Sequence, residues 1–215
     1  MKLIIFDLDG TLLDTLDDLW HSVNFALTQH HLPRRTREQV RSFVGNGIRV
    51  LIQKAVPEGC DPSVVDSVFT TFQNHYMLHS MDNTRMYDGI EHLLEELKRR
   101  NYNIAIASNK IDAAVQDLSD RFFKSYVTYA VGEGNGLNRK PSPDLLLACI
   151  KQTECRLDEV IYVGDSEVDI ETAHNAQIPV VSVTWGFRDK DTLRELHPDY
   201  IINTPLELLP ILSEQ

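Results

Sequence analysis

The sequence predicts an α/β protein: a doubly wound parallel sheet interrupted by a small, wholly helical inserted domain. Three observations carry that expectation. Short apolar runs at residues 3–6, 103–107, 160–163 and 180–183 lack the in/out alternation of a half-exposed strand. Segments of helical periodicity separate them, as βαβ units require. Residues from about 15 to 82 show helical periodicity only.

Leu3, Ile4, Ile5 and Phe6 form the first strand, bounded by Asp7. Leu16, Leu19, Trp20, Val23 and Leu27 then make one helical stripe, and Val65, Val68, Phe69, Phe72 and Tyr76 another. The aromatic members of these stripes read as core of the insert. Beyond it, Ile90, Leu93, Leu94 and Leu97 repeat at i, i+3, i+4, i+7, and Lys98, Arg99 and Arg100 close that helix with cations suited to its C-terminus. Residues 126–131 form a further candidate strand. The division is thus a core of residues 1–14 and 83–215 and a helical cap of residues 15–82.

With 215 residues, 42% hydrophobic and 25% charged, the chain suffices for one sizeable core plus an insert. A net charge of -11 without a basic stripe argues against a nucleic-acid partner. Cys60, Cys149 and Cys155 are odd in number and form no C-x-x-C pair, which fits a reducing compartment. No run approaches the roughly 18 apolar residues of a membrane span. The N-terminal apolar run is too short and too soon acidic for a signal peptide. A cytoplasmic protein is expected, and the oligomeric state is left open.

The polar clusters follow the apolar runs. Asp7-Leu8-Asp9-Gly10-Thr11 follows the first, Ser108-Asn109-Lys110 the second and Gly164-Asp165-Ser166 the third. Carboxyl ends of strands line the ligand crevice of an open α/β sheet, so these clusters are expected to meet. Asp7, Asp9, Asp165 and Asp169 would crowd carboxylates together, which demands a bound cation or protons. Oxygen donors with little His or Cys favour Mg²⁺. Lys140, in Arg139-Lys140-Pro141, is the natural additional cation. Taken singly each cluster is ordinary: Asp-x-Asp-Gly-Thr as a turn, Ser108 or Ser166 as a helix cap, Lys140 as a solvated lysine. Their occurrence together, in order at strand ends, points to a site. His75 and His79 have zinc-compatible spacing but no third ligand. Gly45-Asn46-Gly47 is either a plain helix connection or a turn permitting close backbone approach.

These motifs resemble those of the haloacid dehalogenase (HAD) superfamily, over essentially the whole chain: Asp7-Leu8-Asp9-Gly10-Thr11, Ser108, Lys140, and Gly164-Asp165-Ser166 with Asp169. Val44-Gly45-Asn46-Gly47, Thr184-Trp185-Gly186-Phe187 and Pro198-Asp199-Tyr200-Ile201-Ile202 resemble the phosphoglycolate phosphatase group within it. The resemblance implies a Rossmann-like core with a helical cap. It also implies a phosphatase in which Asp7 is the nucleophile and Asp9 the general acid and base. Ser108 and Lys140 would hold the phosphoryl oxygens. Mg²⁺ would be held by Asp7, Asp165 and the Asp9 backbone carbonyl, with Asp169 orienting the site from behind. Thr11 and Asn109 would contact the substrate. So would Gly45, Asn46 and Gly47 of the cap, with Arg49 meeting a substrate carboxylate. The expected partner is a small phosphorylated metabolite, 2-phosphoglycolate first; the alternatives are a pyrophosphatase and a β-phosphoglucomutase-like phosphosugar mutase. Asp9 favours phosphoryl transfer, since the superfamily's dehalogenases lack it, and together with Asp7 it argues against a non-catalytic binder. Ala176-Gln177 departs from the family's frequent Ala-Gly and predicts a strained or different helix ending.

Overall fold

The structure is a computed structural model that describes residues 2–134 and 136–213. The chain divides into two compact units, Met1–Leu13 with Met86–Gln215, and Asp14–Arg85. In chain order β1 (Leu3–Phe6) is followed by β2 (Leu13–Asp14), which leads into α1 (Leu16–Gln29), α2 (Arg37–Phe43), α3 (Gly47–Ala55) and α4 (Pro62–His79). The return runs through β3 (Arg85–Met86), α5 (Ile90–Arg99), β4 (Asn103–Ile111), α6 (Asp112–Leu118) and β5 (Tyr129–Glu133). It finishes with α7 (Asp144–Thr153), β6 (Val160–Gly164), α8 (Glu167–Ala176), β7 (Val180–Val183), α9 (Lys190–Glu195), β8 (Tyr200–Ile202) and α10 (Leu208–Ser213).

In the first unit, six strands form one sheet in the order β5-β4-β1-β6-β7-β8. Every pairing is parallel, which bears out the expected α/β class. All four residues of β1 are buried because the sheet is covered on both faces. Leu3 and Ile5 pack with Leu145, Leu146 and Cys149 of α7 and Ile170 and Ala173 of α8. The α5 stripe of Ile90, Leu93, Leu94 and Leu97 is likewise buried, each side chain contributing about 1.5–3 kcal/mol. The Tyr87 N–H donates to the Leu12 carbonyl at 3.2 Å, so the two core segments flanking the helical unit are joined within the core.

Several elements differ from expectation. The strand expected at 103–107 continues to Ile111, with a register shift between Ala107 and Ile111. The strand expected at 126–131 begins instead at Tyr129. Before it, a π-helical turn at Ser119–Phe123 ends with Tyr126 and Val127 donating to the Phe123 carbonyl, at 2.8 and 2.9 Å. β8 was not anticipated as a strand; it has three residues, two of them only half-buried, too few to carry a period. α8 ends with Gln177 in the left-handed conformation (φ 58°) usually left to glycine, which is the strained ending of the two expected.

In the second unit, α1 buries Leu16, Leu19, Val23 and Leu27, and α4 buries Val68, Phe72 and Tyr76. Trp20 is half-buried and donates its Nε1–H to the Arg35 carbonyl at 2.9 Å. α2 starts with a capping box between Thr36 and Gln39. Buried Asp18 accepts from the backbone N–H groups of Asn83 and Thr84, at 3.0 and 2.9 Å, which ties the unit's return segment to α1. Among the described residues no helix is long and apolar enough to cross a membrane.

Candidate active site

Register decides which polar residues meet. Phe6 pairs with Ile106 on one side and Val163 on the other, so the residues after them leave the sheet together. The Asp7 N–H still donates to the Val163 carbonyl at 2.9 Å, a last rung before the chain turns away. Gly10 then takes φ 86°, and a side chain there would run into the Asp165 carboxylate. The turn after β1 therefore closes directly onto the turn after β6.

Asp7, Asp165 and Asp169, all buried, each offer a carboxylate oxygen within 4.8 Å of the others. Asp7 and Asp169 share the cation Lys140, whose Nζ lies 2.9 Å from Asp7 Oδ1 and 2.7 Å from Asp169 Oδ1. Lys140 also donates to the Tyr162 hydroxyl at 2.9 Å, and that hydroxyl donates to Asp169 Oδ1 at 2.7 Å. Asp169 Oδ2 accepts from the backbone N–H groups of Asp165 and Ser166, at 3.2 and 3.1 Å, and from Ser166 Oγ at 2.7 Å. Both Asp169 oxygens are thus engaged within the protein. Asp7 Oδ1 is different: it is buried and, beyond its ion pair, has no donor aligned on it for a hydrogen bond.

Three carboxylates and one ammonium leave this pocket about two negative charges in excess, if all are ionised. The titration of the groups reflects that. Burial, with repulsion from Asp169 and Asp9, overrides Lys140 and pushes Asp7 up to about 7. Burial and the charges of Asp169 and Asp7 raise Asp165 well above the carboxylate range. Burial opposes the charge on Lys140, but the Asp169 and Asp7 carboxylates outweigh it and hold the ammonium protonated. For Asp169, burial is outweighed by Lys140 and the hydrogen bonds it accepts, so its carboxyl is held low. An Asp7 oxygen whose contact is the Lys140 ammonium alone and an Asp165 carboxylate, in an all-oxygen setting of excess negative charge, fit a hard divalent cation such as Mg²⁺. Asp7 and Asp165 would hold it.

Asp9 lies apart from that cluster. Lys110 Nζ grips both its oxygens, at 3.0 and 2.9 Å. Ser108 is buried, and its Oγ accepts the Lys110 N–H at 3.3 Å. Two residues expected to contact substrate also make contacts within the protein. Asn109 clamps the Lys140 backbone: its Nδ2 donates to the Lys140 carbonyl at 3.0 Å and its Oδ1 accepts the Lys140 N–H at 2.7 Å. Thr11, also expected to contact substrate, is fully buried and turns its hydroxyl to Asp165 Oδ1 at 3.4 Å. Short polar side chains beside a crowded carboxylate cluster are taken up by the scaffold.

The segment after β7 completes the wall. Trp185 Nε1 donates to the Thr11 carbonyl at 3.0 Å, and the Phe187 N–H donates to Asp165 Oδ2 at 2.6 Å. A side chain on Gly186 between them would meet the Asp165 side chain and the Gly10 carbonyl oxygen. Gly186→Val is expected to lower Mg²⁺ affinity about 10–100-fold by displacing Asp165, with far-UV circular dichroism unchanged. A calorimetric Mg²⁺ titration reads this, and an unchanged affinity would remove the segment from the metal site. Arg188 adds a two-point pair to Glu167, at 2.6 and 2.9 Å.

Gly45, Asn46, Gly47 and Arg49 belong to the second unit. Gly45 and Gly47 have φ of 123° and 79° on either side of Asn46. Arg49 pairs with Asp66 and lies over the Phe69 ring at 5.3 Å, so its partner here is a carboxylate of its own unit. His75 bonds Ser22 Oγ at 3.0 Å and His79 bonds Asp82 at 2.8 Å; among the described residues neither joins a metal-holding group. Sequence reasoning missed Tyr162 and the Phe187 N–H, and it gave Lys110, a member of the second polar cluster, no role of its own. A tyrosine inside the apolar run at 160–163 and a lysine straight after Ser108-Asn109 were the available signals.

Comparison with known proteins agrees with this geometry. The profile of a family described as haloacid dehalogenase-like hydrolase matches residues 4–183. A Haemophilus influenzae protein named phosphoglycolate phosphatase is 33% identical over 219 residues, covering 98% of this chain and 98% of its own. A Mannheimia succiniciproducens protein of the same name is 32% identical, again over 98% of both. A crystal structure from Lactobacillus delbrueckii subsp. bulgaricus superposes with a TM-score of 0.93 at 32% identity, covering 99% of each chain.

Proposed function

The chain belongs to the haloacid dehalogenase-like hydrolases, and from that premise we propose that it is a Mg²⁺-dependent phosphatase acting through an aspartyl-phosphate on Asp7. Its substrate is a small phosphate monoester, with 2-phosphoglycolate, the compound in the relatives' name, the foremost candidate. The observation that carries the reading is the buried Asp7 oxygen that faces Lys140 but has no hydrogen-bond donor aligned on it. A carboxylate held in this way by the scaffold is available as a nucleophile.

Asp7 attacks the phosphorus and the ester oxygen leaves, taking a proton from Asp9. Water then attacks the phosphorus of the aspartyl-phosphate and gives its proton to Asp9, freeing inorganic phosphate and restoring Asp7. The Ser108 hydroxyl and the Lys140 ammonium hold the phosphoryl oxygens as charge spreads over them. Asp169 and Tyr162 fix Lys140 for that role, and Asn109 fixes its backbone. When bound by Asp7, Asp165 and the Asp9 carbonyl, Mg²⁺ supplies the charge neutralisation that lets a carboxylate approach a phosphate dianion. Gly45, Asn46, Gly47 and Arg49 of the helical unit are the further residues proposed to contact substrate.

Chelation by EDTA is expected to abolish phosphate release, and Mg²⁺, not Zn²⁺, to restore it. Full activity after exhaustive chelation would give the carboxylate cluster another purpose. A pH effect accompanies this. The Asp7 carboxyl rises from 3.8 to about 7 on folding without metal. Between those values the folded protein holds a proton that the unfolded chain has lost. This stabilisation is complete below about pH 4 and is lost as pH rises through about 7. A cation on Asp7 competes with that proton. Mg²⁺ is therefore expected to raise Tm by roughly 5 °C or more at pH 8 and far less at pH 5. Equal shifts in differential scanning calorimetry would take Asp7 out of the metal site.

A further inference from the structure

We propose that Lys110 is a positioning residue for proton transfer, holding the Asp9 carboxylate against the leaving oxygen. The inference rests on the acid/base role given to Asp9 above. Its observations are independent of the Asp7 cluster. The Lys110 side chain is 3% exposed, yet lysine is among the residues least often buried. Burying an ammonium is costly unless it is paired, and the pairing is with both oxygens of Asp9, at 2.9 and 3.0 Å. Two contacts to one carboxylate fix its rotation as well as its place.

The backbone behind Lys110 is equally defined. It lies at the shifted end of β4, and its N–H donates to Ser108 Oγ at 3.3 Å. Neighbouring Asn109 is bound at both side-chain ends to Lys140. The two lysines thus divide the two aspartates of the first motif, Lys140 on Asp7 and Lys110 on Asp9. Asp9 also repels Asp7. The two Lys110 contacts hold its carboxylate in one orientation against that repulsion.

Displacement of a proton donor by about 1 Å costs on the order of 10²-fold. The loss depends on the leaving group, because an alkoxide needs the proton and p-nitrophenolate does not. The experiment is single-turnover kinetics on the full chain with Mg²⁺, comparing ethyl phosphate, 2-phosphoglycolate and p-nitrophenyl phosphate. Lys110→Met is expected to slow alcohol release from the two alkyl esters about 100-fold. The first-turnover release of p-nitrophenol should stay within about 3-fold of wild type. Lys110→Arg should regain most of the loss, and Lys110→Met should add nothing to Asp9→Asn. Lys110→Gln repeats the test should the methionine variant not accumulate as folded protein.

Equal losses for all three esters, or an additive loss on Asp9→Asn, would overturn the proposal in favour of a scaffold role. A rise in KM for 2-phosphoglycolate alone, with kcat intact, would overturn it in favour of a contact to the substrate's carboxylate. Absence of any Mg²⁺-dependent ester cleavage by the wild-type protein would instead defeat the phosphatase reading, and the role of Lys110 with it.

Discussion

Asp7→Asn is expected to leave a folded protein whose phosphate release is at least about 10⁴-fold below that of the parent, for every ester tested. The substitution keeps size and shape but replaces a nucleophilic carboxylate by an amide, which does not form the phosphoenzyme. Stability should move the other way. Asp7 is buried with Asp165 and Asp169 and is pushed up to about 7, so the metal-free protein gains by losing that charge at neutral pH. Tm without Mg²⁺ is therefore expected to hold or rise while the response to Mg²⁺ shrinks. Acid-quenched phosphoenzyme, read by mass spectrometry, should vanish in the variant. Substantial turnover in folded Asp7→Asn protein would sink the covalent mechanism.

Lys140→Met is expected to be the most destabilising change in the site. It removes the ammonium that pairs with Asp7 and Asp169 and leaves their carboxylates buried without it. Breaking one side of a buried ion pair typically costs about 3–5 kcal/mol. Lys140 is the main group holding Asp169 low, so in the variant burial lifts that carboxyl, and any proton it takes up relieves part of the cost. Mg²⁺ should recover part of the loss, and turnover should still fall about 10²–10³-fold because the phosphoryl oxygens lose a charged contact. Urea unfolding with and without Mg²⁺ checks the first expectation. A loss under about 1 kcal/mol would mean that water reaches the cluster and screens it.

The inner strands were legible because both faces of the sheet are covered, so Leu3 to Phe6 and Val180 to Val183 read as unbroken apolar runs. The residues immediately after the inner runs were legible for the same reason: a buried strand that ends in Asp7 or Asp165 announces where polar groups gather. What residue types do not encode is which way a short side chain turns. Thr11 and Asn109 stand beside the site in sequence, yet they serve Asp165 and Lys140. Tyr162 was masked by the apolar neighbours of its strand, although its hydroxyl joins Lys140 to Asp169. Lys110 stood in the second polar cluster without a role, because nothing in the sequence says that its ammonium is buried against Asp9. In the helical unit the stripes of α1 and α4 were plain, whereas the Arg49 pairing with Asp66 spans 17 residues and no period reports it.

The hydrogen bond between Tyr87 and Leu12 means that the helical insert departs from and returns to a single point of the core. The core's own ends are fastened without help from the insert. Closure entropy then grows only logarithmically with insert length, at about 0.6 kcal/mol per doubling. Such a junction tolerates exchange: a longer, shorter or differently surfaced module can be spliced there without shifting the register of β1 against its neighbours. The insert's surface and the core's catalytic loops can thereby evolve as separate stretches of one chain.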